Sequence, residues 1–188
     1  MVSRARLVMA QMKLLRSTDY RVMRWRNGGG TTTELVIDPG ERFRFRASIA
    51  DVRESSPFSR FDGYDRHIMI VEGAGMTLAC GAHGDLELEP FAPRFFSGDW
   101  DVHGTLRAGP VRDFNWIVDR STARSALEVR LLDARTPVQV PRGSTCVIHV
   151  FSGSLREATA GETLVASEDV VLTPEVETRV ALAWAHPR

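Results

Sequence analysis

The 188-residue chain has only two cysteines, a single lysine and no net charge. Cys80 and Cys146 lie far apart and form no C-x-x-C pair, so we expect two reduced, buried thiols rather than a disulfide. The 24 lysine and arginine residues balance 24 aspartate and glutamate residues, which leaves no net field to attract nucleic acid or an anionic membrane surface. The composition therefore argues against a disulfide-rich secreted protein and against a nucleic-acid-binding domain.

Long hydrophobic runs are also missing. The apolar patch of residues 7–10 is interrupted by Gln11, whereas a secretory signal needs about 7–15 apolar residues. No stretch reaches the roughly 18 apolar residues of a membrane span. We therefore expect a cytoplasmic protein without a membrane partner. Met12 could serve as an alternative start, and on that interpretation residues 1–11 form a disordered N-terminal extension.

Common enzyme and metal-site motifs are absent from the sequence. There is no G-x-S-x-G, no P-loop and no G-x-G-x-x-G that opens a helix. No two of the five histidines stand two or four residues apart. The nearest metal candidate is the alternation of Asp99, Asp101 and His103, whose side chains would share a face if the stretch were a strand. Such alternation is common on solvated strands, so we expect no catalytic residue, no metal and no cofactor.

Short β-strands with glycine and proline turns dominate what is present. Residues 43–49 and 111–118 alternate between apolar and polar side chains, as half-buried strands do. No segment has a sustained helical period, so we expect an all-β sandwich or barrel. Further strands are predicted at residues 67–71, 76–79, 85–88, 94–96, 127–132, 146–151, 162–166, 170–172 and 178–184.

A weak internal repeat suggests a doubled architecture. Residues 67–73 and 147–153 each have the pattern of a buried strand that runs into a glycine turn, although chance similarity between hairpins explains this equally well. The small, polar stretch of residues 120–125 is the best linker candidate. The predicted domains are therefore an N-terminal barrel at residues 12–120 and a C-terminal barrel at residues 121–188, packed as one unit.

Three consecutive glycines, at positions 28–30, stand between Asn27 and a polar strand that begins near Thr31. Glycines bare the backbone amides and take positive φ readily, so the run could cradle an anion. It could equally be a tight hairpin connection. The residues alone leave both interpretations open.

Polar side chains on several predicted strands could converge in one barrel mouth. Taken singly, each of them is more typical of the solvated exterior of a barrel. Together, two arginines, two acids and three neutral hydrogen-bonding side chains could bind a small carboxylate. These residues are Thr32, Glu34, Arg46, Ser48, Arg66, Asp113 and Asn115.

Several ordered motifs between residues 12 and 120 resemble the HutD/Ves family. The blocks are Trp25-x-Asn27-Gly28-Gly29-Gly30-x-Thr32-x-Glu34, Arg46-x-Ser48-Ile49-Ala50, Pro57-Phe58-Ser59-x-Phe61-x-Gly63-x-x-Arg66, Phe96-Ser97-Gly98-Asp99 and Asp113-Phe114-Asn115. The resemblance implies a bicupin, which is two double-stranded β-helix (jelly-roll-like) barrels in one chain without metal-binding histidines. Phe45 departs from the pattern, where we expect tryptophan, and this changes little beyond aromatic packing.

The resemblance also implies a function in bacterial histidine utilisation, through binding of a metabolite such as N-formylglutamate or urocanate. The Ves branch is instead linked to environmental stress. The predicted ligand-binding residues are Asn27, Gly28, Gly29, Thr32, Glu34, Arg46, Ser48, Arg66, Asp113 and Asn115.

Within this set we expect Arg66 and Arg46 to clamp the carboxylate, with little loss of stability if Arg66 is removed. Glu34 and Asp113 would hold the two arginines. We therefore expect a metal-independent regulatory protein that binds a small carboxylate, and open barrel edges would allow a homodimer. Two alternatives remain at this point: a hydrolase or isomerase of a small acid with Glu34 or Asp113 as general base, and an interaction module.

Overall fold

The computed structural model describes residues 12–26 and 28–188, and over these residues the fold is all-β. The only helical segments within them are two 3-10 turns, Ser17–Asp19 and Gly81–His83. The strands are β1 (Met12–Leu15), β2 (Arg21–Arg24), β3 (Gly30–Ile37), β4 (Phe45–Val52), β5 (Ser56–Pro57), β6 (Tyr64–Glu72), β7 (Met76–Ala79), β8 (Asp85–Leu88), β9 (Arg94–Ser97), β10 (His103–Leu106), β11 (Val111–Asp119), β12 (Ala123–Leu132), β13 (Thr136–Val138), β14 (Thr145–Ser152), β15 (Thr163–Ala166), β16 (Val170–Leu172) and β17 (Thr178–Pro187).

The alternation in the sequence produces these strands at nearly the predicted places. Strands β7, β8 and β16 have the predicted bounds, and β11 extends the predicted segment by one residue. Along β4 and β11 the apolar faces are buried, and Phe45 packs on Trp116 with ring centroids 5.2 Å apart. The all-β fold class is thus confirmed.

The chain divides into two compact units, and the first comprises residues 21–123. It contains a six-stranded sheet of order β2-β3-β4-β11-β6-β9 and a four-stranded sheet of order β5-β10-β7-β8. A buried apolar cluster joins the two sheets, with Ile68 and Ile70 from the larger sheet against Met76 and Leu78 from the smaller one. This unit carries every predicted site residue that the structure describes.

The second unit comprises residues 124–188 together with residues 12–20. Its five-stranded sheet has the order β1-β15-β14-β17-β12, and β13 pairs with β16 in a second sheet. Strand β1 lies antiparallel to β15, with Met12 opposite Ala166. The predicted N-terminal barrel begins at residue 12, whereas residues 12–20 belong to the second unit. No local pattern in the sequence indicates this long-range pairing.

The predicted linker is only a short turn. Residues 120–122 connect β11 to β12, and the Asp119 carboxylate accepts hydrogen bonds from the backbone and hydroxyl of Ser121. Both segments of the weak repeat are strands followed by a glycine with positive φ, since β6 precedes Gly73 (φ 101°) and β14 precedes Gly153 (φ 85°).

Three other expectations concern the chain as a whole. The predicted extension, residues 1–11, lies outside the described residues, as does Asn27. Cys80 and Cys146 are both buried and unpaired. Across the described ranges, no helix has the length and apolar character that a membrane span requires.

Candidate functional site

Pairing of four neighbouring strands places the predicted polar residues in adjacent rows on one face of the six-stranded sheet. In β11, Ile117 stands between Arg46 of β4 and Arg66 of β6. In the next row Asn115 lies opposite Ser48, which in turn lies opposite Glu34 of β3. Because side chains alternate along a strand, residues two apart on β4 and β11 share this face.

This face forms one wall of a cavity of about 510 Å³ within the first unit. The segment that follows β5 and the end of β2 supply further lining residues. The volume is in the range typical of small-molecule sites. The lining residues are Arg24, Trp25, Arg26, Thr32, Arg46, Ser48, Ala50, Ser56, Pro57, Phe58, Ser59, Phe61, Arg66, Asp113, Asn115 and Ile117.

Arg66 is the most deeply buried cation of the cavity, with 5% of its surface exposed. Its Nη1 donates to the carbonyl of Ser59 at 3.0 Å, and its Nη2 donates to Oδ1 of Asn115 at 2.8 Å. Its guanidinium carbon also lies 4.6–5.5 Å from the ring centroids of Phe58, Phe61 and Phe96. Burial lowers its pKa to about 10, with Asp113 opposing and Arg46 adding to the shift, so Arg66 stays charged at neutral pH.

Asp113 is the buried acid of the cavity, with 1% of its surface exposed. Its Oδ1 accepts a hydrogen bond from Nδ2 of Asn115, and its Oδ2 is buried with no hydrogen-bond partner among the described residues. Burial raises its pKa from 3.8 to about 7, against the opposing effects of Arg66 and of the Asn115 hydrogen bond. The group is therefore poised to gain or lose a proton near neutral pH.

Arg46 forms an ion pair with Glu34, one of the two acids that the sequence predicts to hold the arginines. Nε of Arg46 lies 2.9 Å from Oε2 of Glu34, and both side chains are mostly buried. The atoms are close enough for an ion pair but are not aligned for a hydrogen bond, since Nε has no hydrogen-bond partner in the described part of the chain. The guanidinium is thus held in place with capacity left for an incoming anion.

The electrostatic character of the cavity is positive. Its lining contains four guanidinium groups and one carboxylate. Arg24 and Arg26 are exposed and pair with no acid within residues 12–26 and 28–188. Such a lining favours anionic ligands, and carboxylates in particular, because a guanidinium offers two parallel donors.

The glycine run forms a hairpin connection between β2 and β3. The amide of Trp25 donates to the carbonyl of Gly30 at 3.0 Å, and the amide of Gly28 donates to the carbonyl of Trp25 at 3.1 Å. Gly28 and Gly29 are not among the lining residues. Instead the connection brings Trp25 to the cavity, where its indole donates to the Thr32 hydroxyl at 2.8 Å.

The structure brings most of the predicted residues together and adds others. Thr32, Arg46, Ser48, Arg66, Asp113 and Asn115 all line the cavity. Glu34 reaches it only through Arg46. Among the lining residues that the sequence does not predict are Arg24, Arg26, Ser56 and the aromatic residues near Ser59. The only signal for these aromatics was their place in the motif that precedes Arg66.

The cavity does not have the donors of a divalent-cation site, because it offers one carboxylate among several cations. In the described part of the chain, no group of three histidine, cysteine or acidic side chains could hold a metal ion. The alternation of Asp99, Asp101 and His103 also fails as a site, since β10 begins only at His103. Asp99 and Asp101 instead pair with Arg120 and Arg60.

The raised pKa of Asp113 predicts how stability depends on pH. The folded protein holds this proton up to about pH 7, whereas the unfolded chain loses it near 3.8. Since the folded state binds more protons in this window, the free energy of unfolding should fall as pH rises from about 4 to 7 and then level off. We expect Asp113→Asn to remove this fall, which thermal unfolding at several pH values would measure.

Asp99 provides the matched control for that measurement. Hydrogen bonds from Gly63, Ser97 and Arg120 lower its pKa to about 2, so its contribution is fully present above pH 4 and is lost only in stronger acid. The midpoint difference between wild type and Asp99→Asn should therefore stay constant from pH 5 to 8. Parallel profiles for wild type and Asp113→Asn would contradict the assignment to Asp113.

Comparison with known proteins identifies sequence relatives. The HutD family model matches residues 17–186. A 21.2 kDa protein in the hutC 3' region of Pseudomonas putida is 43% identical over 123 residues, which cover 64% of this chain and 65% of that protein. The match thus spans just under two thirds of that relative's length. Protein Ves of Cronobacter sakazakii is 31% identical over 153 residues, covering 80% of this chain and 77% of Ves.

Solved structures agree with these sequence matches. HutD from Pseudomonas fluorescens SBW25 superposes with a TM-score of 0.77 at 28% identity, covering 94% of this chain and 99% of that one. The pirin YhhW of Escherichia coli has a TM-score of 0.68 at 8% identity, covering 94% and 99% of the two chains, and shows likeness of fold alone. The all-β fold is thus of the cupin and pirin type, and because the HutD family model matches nearly the whole sequence, the chain belongs to the HutD family.

Proposed function

We propose that this protein binds a small carboxylate metabolite without a metal and regulates histidine catabolism in response to it. The main observation behind the proposal is the cavity of the first unit. Its lining contains four arginines and only one acidic residue, so it favours anions. The hut names of the Pseudomonas relatives support the pathway, and N-formylglutamate and urocanate are the ligands we favour.

The proposed arrangement assigns a task to each side of the cavity. Arg66 and Arg46, on either side of Ile117, clamp the carboxylate, and Ser48 and Asn115 orient the remaining polar atoms. The two arginines lie two strand spacings apart, about 10 Å between Cα atoms, so their long side chains can approach one carboxylate from opposite sides.

Two cupin-like barrels in one chain, a bicupin, are the architecture we propose for this fold.

Thermal unfolding with a panel of acids tests the proposed function. The panel contains formate, acetate, glutarate, urocanate and N-formylglutamate, each measured with and without divalent metal. A ligand at about 100 times its dissociation constant stabilises a protein by about 2.7 kcal/mol, which is about 5–10 °C for a chain of this size. We expect at least one acid to raise the midpoint without metal, and Arg46→Gln to reduce that rise.

Two results would overturn this proposal. If no acid of the panel raises the midpoint, the cavity is not a site for these carboxylates. If a divalent metal raises it and the acids do so only with that metal, binding is not metal-independent. Arg107→Gln is the matched control, because Arg107 pairs with Glu87 and Glu89 on the surface and does not line the cavity.

A second candidate function is a hydrolase or isomerase of a small acid. One observation favours it, namely that the pKa of Asp113 near 7 suits a general base. Asp113 is a better candidate for this role than Glu34, which is held by Arg46. Chromatography of each bound acid after long incubation would separate the two functions, since turnover that is lost in Asp113→Asn would support the enzyme. A stress-related role, which the resemblance to the Ves branch implies, is a further alternative.

A further inference from the structure

The hydrogen bonds of the cavity leave one oxygen of Asp113 without a donor. Asn115 donates to Oδ1, and the two hydrogen bonds that Arg66 donates go to Ser59 and Asn115 rather than to Asp113. Oδ2 of Asp113 is buried and has no partner among the described residues. A buried, charged carboxylate oxygen without a donor is costly. A proton on this oxygen removes the negative charge and leaves an O–H group that needs an acceptor.

Two charged groups on the neighbouring strands act on the ionisation of this carboxyl group in opposite directions. Arg66 on β6 favours its ionised form. Asp51 on β4 favours its neutral form, although it lies on the other face of the sheet and pairs with Arg112. Arg46 on β4 lies farther along the cavity and is neutralised by Glu34 of β3. The balance that keeps Asp113 ionised therefore rests mainly on Arg66.

A bound carboxylate would disturb this balance. An anion on Arg66 offsets the positive charge that favours ionised Asp113, and it adds a negative charge nearby. Two like charges in one buried site disfavour each other's ionisation. Arg24 and Arg26 lie at exposed positions of the lining, where water screens their effect on Asp113.

We infer that Asp113 takes up one proton when a carboxylate binds beside Arg66, and that its neutral carboxyl group then donates a hydrogen bond to the ligand. The proton comes from the solvent and resides on Oδ2, and no covalent bond of the ligand changes. The inference rests on the proposed function. It makes Asp113 a specificity residue, because its O–H group would select ligands that carry a hydrogen-bond acceptor at this position. The pKa near 7 of the empty site supports it, since protonation there costs little at neutral pH.

Titration calorimetry with N-formylglutamate tests the inference. Its carboxyl groups titrate at or below about 4.3, so the probe keeps its charge between pH 5.5 and 8.5. Measurement at each pH in two buffers that titrate near that pH and differ in ionisation enthalpy gives the number of protons taken up. We expect near zero at pH 5.5, where Asp113 is already protonated, and a value approaching one at pH 8. The dissociation constant should rise by up to tenfold per pH unit above pH 7.

Asp113→Asn should bind the same probe with no proton uptake and with a flat pH profile, because its amide donates at every pH. Asp62→Asn is the matched control, since Asp62 pairs with Arg60 at the surface and does not line the cavity. This variant should keep the proton uptake of the wild type. Circular dichroism confirms that each variant is folded.

The outcomes separate the inference from the proposed function. Binding by the wild type without proton uptake overturns the inference alone. Loss of binding in a folded Asp113→Asn also overturns it, because Asp113 would then act as an anion that accepts a hydrogen bond from the ligand. No binding by the wild type at any pH overturns the proposed function for this acid, and the inference with it.

Discussion

Replacing Arg66 by alanine is expected to lower carboxylate affinity on the order of 100-fold or more and to destabilise the fold by about 3 kcal/mol. The affinity falls because truncating a buried charged partner costs roughly 2–5 kcal/mol, and a 100-fold loss corresponds to about 2.7 kcal/mol. The fold suffers because the Ser59 carbonyl and the Asn115 amide oxygen lose their donor and a void opens among three aromatic rings.

The sequence analysis expected little loss of stability from the same substitution. The contacts of the guanidinium with three rings and its two hydrogen bonds within the protein depend on the tertiary fold and have no local sequence signal. The structure thus gives Arg66 a structural task in addition to its proposed role in the binding site. Thermal unfolding should show a midpoint lower by about 6–12 °C, and titration calorimetry should show the loss of binding.

Two further variants separate the two effects of Arg66. Arg66→Lys keeps the charge but loses the planar fork, so we expect it to retain more stability than alanine and still to bind weakly. Arg60→Ala removes a half-exposed arginine that pairs with Asp62 and Asp101, and it should change neither property by much. Normal carboxylate binding by Arg66→Ala would refute the role of Arg66 in the site.

Gly30→Ala is expected to be the most damaging change in the glycine run, with a loss of about 3 kcal/mol. A Cβ at this position would overlap the carbonyl oxygen of Asp51 in β4 and would lie 3.0 Å from Cε3 of Trp25. The oxygen belongs to the backbone, so relief requires β3 and β4 to separate. Because Trp25 lines the cavity, carboxylate binding should weaken as well.

Gly28→Ala is the matched control in the same run. Gly28 has φ of 77°, and a Cβ there would meet no atom within 4 Å. The cost should therefore be only the backbone strain of about 1–2 kcal/mol, with little effect on binding. Chemical denaturation of the two variants beside wild type measures the difference. Equal destabilisation would show that close approach of the strands is not what requires glycine at position 30.

The alternation of apolar and polar side chains allowed the strands to be predicted from the sequence. Residues 43–49 and 111–118 alternate because one face of each strand packs in the interior, and glycine and proline turns mark where strands end. Which strands pair with each other could not be predicted in this way, because pairing brings together segments that are far apart in the chain. The pairing of β1 with β15 joins residues about 150 positions apart.

The candidate site could not be predicted fully for the same reason, because it is formed by the polar faces of three separate strands, β4, β6 and β11. In sequence, Arg46 and Asn115 look like residues of a solvated barrel exterior, and the alternation fits equally well if the polar face lies inside. Only adjacency of the three strands places Arg46, Ile117 and Arg66 in one row. Burial there, and not residue type, brings the pKa of Asp113 to about 7.

The all-β class, the positions of most strands and the resemblance to the HutD/Ves family can be predicted from the chain alone. These features depend on local periodicity and on residue identity. The folded protein is needed to show which strands are neighbours, that the glycine run is a hairpin connection, and that Arg66 is both a structural and a candidate binding residue. Each of these depends on contacts between segments that are far apart in the chain, and local sequence patterns carry no information about the energies of such contacts.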